Sequence, residues 1–195
     1  MMSRVIYFVT SNRHKFQEIY DISKHHVPWI EIKMREDVPK LEIQSHRLEE
    51  IALFAAENAA KKFDETFIIE EAGLFVKALN GFPGPYSSYV FKTIGCTGIL
   101  KLLQDQRDRS AEFRSVLVLH HRGFFKVFIG TVKGLISYEE RGSQGFGFDP
   151  IFIPQGHNRT FAEMTLQEKN NLSHRGKSTR QLIKFLKTLF ESENR

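Results

Sequence analysis

At 195 residues, with 41% hydrophobic and 26% charged residues, the chain is long enough for one domain with a sizeable core. No apolar run approaches a membrane span, no secretory signal is expected, and the single cysteine, Cys96, excludes an internal disulfide; a cytoplasmic protein is expected, with Cys96 a small buried hydrophobe. The formal net charge of +5 is spread among acids with no basic run longer than two, which suits a small anionic ligand better than a nucleic-acid polymer.

Residues 5–9 form a continuous apolar run, the pattern of a buried strand. Thr10, Ser11 and Asn12 follow as N-cap candidates, and Lys15, Phe16, Ile19 and Tyr20 then recur at helical spacing. Residues 30–32 read as a short strand and 45–63 as a long helix, whose stripe is Leu48, Ile51, Ala52, Ala55, Ala59 and Phe63. Residues 66–69 and 74–79 read as two strands flanking Glu70 and Glu71. The run Gly81-Phe82-Pro83-Gly84-Pro85 predicts a stiff, specific bend. A short helix is expected at 97–104, and long strands at 112–120 and 124–137 join through Arg122-Gly123. Residues 150–153 add a strand, Thr165 and Glu168 have capping-box spacing, and Leu182, Ile183, Phe185, Leu186, Leu189 and Phe190 give a C-terminal helix its apolar face. Strands alternating with helices around a hairpin predict an α/β fold on a mixed sheet, a single domain over 1–195.

Five places carry chemistry. Adjacent acids, Glu70-Glu71, at a strand end are costly unless a cation neutralises them, which points to a magnesium site; a solvated strand end with an ordinary turn fits equally. The junction Thr10-Ser11-Asn12-Arg13-His14-Lys15 is either a phosphate cradle at a helix start or simply a capped helix; it lacks the glycines of a P-loop. Gly145-Phe146-Gly147-Phe148-Asp149-Pro150 offers aromatic faces for a base and an acid for a ring N–H, or a core-facing strand end with a bulge. Lys169-Asn170-Asn171-Leu172-Ser173-His174-Arg175-Gly176 packs donors into one loop, whose bland reading is a solvated linker. Glu42 is an acid that could bind metal, although its sequence setting by itself favours exposure.

In order, these blocks resemble the inosine triphosphate pyrophosphatase (Ham1/RdgB-type) family: Thr10-Ser11-Asn12 with Lys15 and Glu18, Glu71-Ala72-Gly73-Leu74, Gly81-Phe82-Pro83-Gly84-Pro85-Tyr86-Ser87, Gly145 to Pro150, and Ala162-Glu163-Met164 through Lys169-Asn170 to Ser173-His174-Arg175-Gly176. The resemblance implies a long mixed, twisted sheet flanked by helices, with two lobes and a central cleft. It implies Mg²⁺-dependent hydrolysis of non-standard purine nucleoside triphosphates (ITP, dITP, XTP) to monophosphate and pyrophosphate, cleansing the nucleotide pool, by a homodimer. By position, Thr10, Ser11, Asn12, Arg13, His14 and Lys15 would hold the triphosphate. Glu71 would bind metal and accept the proton of the attacking water, with Glu42 as second metal carboxylate. Phe146 would stack the base beside Gly147, Phe148 and Asp149. Lys169 would serve the triphosphate or base region, and His174 and Arg175 the purine near its 6-oxo group. Glu71-Ala72 stands where the family usually has Asp-Ser, so one acid reaches a methylene further and Ala72 meets substrate without a hydroxyl. Two other readings compete: a Maf-like pyrophosphatase for pyrimidine or modified nucleotides, disfavoured by Ser11-Asn12-Arg13-His14, and a non-catalytic nucleic-acid-binding module suggested by charge and 18 Phe residues.

Overall fold

A computed structural model describes residues 4–193, so both ends of the expected domain, 1–3 and 194–195, lie outside the described residues. Seven strands form one mixed sheet in the order β2-β1-β3-β5-β6-β7, with β4 paired to β3. The strands are β1 (Arg4–Val9), β2 (Ile30–Arg35), β3 (Phe67–Val76), β4 (Pro83–Gly84), β5 (Ser110–His121), β6 (Phe124–Ile136) and β7 (Phe152–Pro154). β1 pairs parallel with β2 and β3, as an intervening helix requires, while every other pairing is antiparallel.

The helices are α1 (Arg13–His26), α2 (Leu48–Ala60), α3 (Ser87–Thr93), α4 (Gly95–Leu102), α5 (Leu166–Leu172) and α6 (His174–Ser192). α1 and α6 cover one face of the sheet through Ile19, Ile22, Leu182 and Leu186 against Ile6, Phe8, Ile68 and Leu117. α2 covers the opposite face, its Ala52, Ala55, Ala56 and Ala59 lying flat on Phe67, Ile69, Val116 and Val118. A third cluster fills the far half, where α3 and α4 meet Leu74, Phe113, Phe148, Phe152 and Phe161. Cys96 lies in this cluster, and burial pushes its thiol up to about 12.

Several boundaries differ from the sequence reading. The two strands expected around Glu70-Glu71 are one strand, β3, paired to β5 without a break from Phe67 opposite His120 to Val76 opposite Ala111. The acids therefore sit mid-strand, and alternation sends them to opposite faces. Residues 77–79 leave the strand as a single 3-10 turn. The bend after Gly81 contains β4 and then α3, a helix the prolines obscured. Lys169 to Gly176 is no loop: it is the end of α5 and the start of α6, broken only at Ser173, whose hydroxyl caps α6 by accepting from Gly176 N–H at 3.0 Å. The long helix begins at Leu48 and ends at Ala60 instead of spanning 45–63, and Asp149–Ile151 is a 3-10 turn ahead of β7. The Thr165–Glu168 capping box is present as read.

Candidate active site

One cleft of about 840 Å³ opens between the α1–α2 half of the sheet and the α3–α4 half. It is bordered by Thr10, Ser11, Asn12, His14 and Lys15, by Glu42, Glu71 and Ala72, by Phe146, Gly147, Phe148 and Asp149, and by Lys169, His174 and Arg175. Of the residues expected to bind substrate or metal, Arg13 alone does not line it, its side chain being exposed, and Glu70 of the paired acids lies buried behind it.

The first wall is the amino end of α1. Asn12 Oδ1 accepts from Lys15 N–H at 3.1 Å, and Thr10 Oγ1 accepts from Asn12 N–H at 3.1 Å, so the turn is set before any ligand arrives. The helix dipole and its first N–H groups there favour an anion. Lys15 reaches from this turn to Glu70, 2.9 Å from Oε2.

Glu70 and Glu71 are neutralised separately. Glu70 is fully buried and accepts from Ser115 Oγ at 2.7 Å and from Arg175 Nε at 3.1 Å on Oε1. Burial alone would raise its pKa, but Arg175 and Lys15 overcome that and hold the carboxyl well below the usual range. Glu71, 8% exposed, points to the other face. There Lys40 Nζ lies 2.6 Å from Glu71 Oε1 and 3.0 Å from Glu42 Oε1, so the two expected metal carboxylates share one ammonium. Burial opposes the charge on Lys40, yet Glu71 and Glu42 more than offset it and raise its pKa. Glu71 Oε1 and Glu70 Oε2 are ion-paired, but neither receives a well-directed hydrogen bond.

Behind this lies a buried network centred on Glu18, which the sequence reading placed in the first motif but gave no role. On α1, one turn past Lys15, Glu18 takes Lys169 Nζ at 2.6 Å on one oxygen and Arg175 on the other. Lys169 also donates to Asp149, whose Oδ2 accepts from Phe146 N–H at 2.8 Å. Glu18 has two cations and its pKa falls despite burial; Asp149 has one shared ammonium, and burial followed by the nearby Glu18 charge pushes its pKa up. Lys169, flanked by both acids, is raised against the pull of burial. Besides its place in that motif, the position of Glu18 beside the Ile19–Ile22 face of α1 signalled a buried acid.

Phe146 is half-buried, with the His14 imidazole stacked on it at 5.1 Å and 13° and the Lys169 ammonium 4.7 Å from its centroid. Phe148, expected to complete the base pocket, borders the cleft but packs into the core: it is 2% exposed, with Phe91 edge-on at 5.4 Å. His174 stacks on Phe113 at 4.7 Å, and burial holds it neutral, far below the ordinary histidine range; its Nδ1 has no partner.

Two close approaches fix this geometry. A Cβ at Gly130 on β6 would lie 1.9 Å from the His174 carbonyl oxygen, so only glycine lets the start of α6 rest on the sheet. A Cβ at Gly73 would lie 2.3 Å from the Gly84 carbonyl oxygen, so β4 can close on β3 beside Ala72.

Residues 6–185 match the model of the Ham1 family. The chain belongs to the Ham1 family. It is 51% identical over 187 residues to the dITP/XTP pyrophosphatase of Hyperthermus butylicus, covering 96% of this chain and 97% of the relative. It is 50% identical over 182 residues to the protein of the same name from Thermococcus kodakarensis, covering 92% and 96%. The fold superposes on a HAM1 protein from Coxiella burnetii with a TM-score of 0.83 at 32% identity, over 95% of this chain and 99% of the other. The central cleft expected of Ham1-type folds is the one described above.

Proposed function

We propose that this Ham1 chain hydrolyses non-standard purine nucleoside triphosphates such as dITP, XTP and ITP to the monophosphate and pyrophosphate. The observation that carries this reading is the convergence, in one cleft, of an anion-receiving helix end, a carboxylate pair held by a single ammonium and a half-buried aromatic. Relatives about half identical over nearly their whole length are named dITP/XTP pyrophosphatases.

In this reading the triphosphate lies along Thr10 to Lys15, and Phe146 takes the base face that His14 covers. Arg175 is fixed by Glu70 and Glu18, so its guanidinium presents a rigid donor edge. The neutral His174, with Nδ1 unpartnered, supplies a second group toward a 6-oxo oxygen. Adenine has an amino group there and would leave these donors unpaired, which disfavours it. Glu71 orients water and takes its proton as the water oxygen bonds to phosphorus and the phosphoanhydride opens, pyrophosphate leaving.

Among the described residues no three His, Cys, Asp or Glu side chains converge into a ready-made cation cage. Glu71 and Glu42 fit Mg²⁺, which commonly takes one or two carboxylates and completes its shell with phosphate oxygens and water; the Glu71 oxygen without a directed hydrogen bond is the natural donor. When bound, magnesium would neutralise phosphate oxygens and the leaving charge. The same reading includes a homodimer acting in the cytoplasm on free nucleotides rather than nucleic acid, with 1–195 as one domain. No helix among the described residues is long and apolar enough to cross a membrane.

Pyrophosphate release from dITP, XTP, ITP, dATP, GTP, dTTP and UTP, with and without Mg²⁺, tests the proposal. Metal-dependent release confined to the first three is expected. Preference for dTTP or UTP would favour the pyrimidine alternative, and no turnover of any would refute the assignment.

A further inference from the structure

Two clusters of ion-paired side chains meet at the cleft, apart from Arg35, Glu36 and Lys92 on its border. Inside, Glu18, Glu70 and Asp149 face Lys15, Lys169 and Arg175, three against three. At the mouth, Glu42 and Glu71 face Lys40 alone, leaving one negative charge over. Lys40 approaches from the segment between β2 and α2, two residues before Glu42, and among the described residues no other cation is ion-paired with Glu42 or Glu71. Its ammonium spans both carboxylates at 2.6 and 3.0 Å, and its side chain is partly exposed on a flexible stem.

We propose that Lys40 is a tethered counter-ion that holds the space between Glu42 and Glu71 until a divalent cation arrives together with the nucleotide phosphates. The inference rests on the reaction proposed above. A dication and an ammonium cannot share the Glu71 oxygen without strong repulsion, so the cation must displace Lys40. In the free protein the displaced ammonium loses both carboxylates and gains only water. With a triphosphate in the cleft it swings to phosphate oxygens and loses little. Lys40 thus makes cation binding weak in the free protein and couples it to the nucleotide. It is a positioning residue that keeps Glu71 turned to the cleft and takes no part in proton transfer.

The test is binding of Mn²⁺ alone, followed by electron paramagnetic resonance of the free ion, for the native chain, Lys40→Met and Lys40→Arg. Lys40→Met is expected to bind Mn²⁺ at least tenfold more tightly, and Lys40→Arg within about twofold of native. The gain should vanish in the double variant Lys40→Met with Glu71→Gln. In the presence of a dITP analogue with an imido bridge between the α and β phosphates, native and Lys40→Met should bind Mn²⁺ alike within about threefold. Thermal midpoints of all variants check that the fold is kept. Unchanged Mn²⁺ affinity in Lys40→Met overturns the proposal even if the native protein releases pyrophosphate from dITP. A tightening that survives Glu71→Gln also overturns it, by placing the ion elsewhere. Absence of Mn²⁺ binding to every form, analogue included, would instead remove the metal-dependent reading on which the proposal stands.

Discussion

In the proposed reaction Glu71 must be held ready and yet be free to take a proton, and its ion pair with a partly exposed lysine allows both. Glu71→Gln keeps the shape and removes the proposed base. Turnover of dITP should fall by about 10²- to 10⁴-fold in a pyrophosphate-release assay, with the melting temperature nearly unchanged. Its neighbour behaves oppositely. Glu70→Gln leaves Arg175 and Lys15 without their buried partner, and about 3–5 kcal/mol of stability should be lost in urea unfolding. Adjacent acids were legible in the sequence as a feature needing cations. Which cations served which acid was not, because that depends on the two faces of β3 and on side chains from α1, α6 and the segment carrying Lys40.

The strands and helices that build the site were largely readable, since β1, β5, β6 and α6 have runs or stripes of apolar residues with one period. Two elements were not. β3 looked like two strands because charged residues interrupt its apolar pattern, although their partners let the pairing with β5 run through. The second half of α5 looked like a loop because its polar residues, Lys169 and Asn170, point into the molecule as buried partners rather than out to solvent. The seating of α6 on β6 offers a test at this scale. Gly130→Ala places a methyl group against the His174 backbone, and overpacking should cost about 1–3 kcal/mol. KM for dITP should rise more than kcat falls, since His174 and Arg175 shift together with the helix.

Across the whole molecule, the buried ions also set a response to acid. Glu18 and Glu70 have folded pKa values below their ordinary 4.5, so the unfolded chain binds their protons first as pH falls. Their stabilisation is fully present above the ordinary value and is lost as pH drops toward the folded values. Asp149, whose pKa is raised, acts in the opposite direction and softens the fall. The melting temperature should stay level from pH 7 to about pH 5.5 and decline below about pH 4.5. Scanning calorimetry of Glu18→Gln should show a lower starting value and a shallower decline, because one proton uptake has been removed.

The bond between Glu18 and Arg175 joins positions 157 apart in the chain, and Glu70 to Arg175 spans 105. Until α6 has been synthesised and docked, Glu18, Glu70 and Asp149 form a buried-to-be patch of three acids with two lysines to balance them. A chain whose α6 has not yet docked therefore has no closed ion network behind the cleft. Completion of the cleft thus waits on the docking of α6, however early the sheet itself has formed.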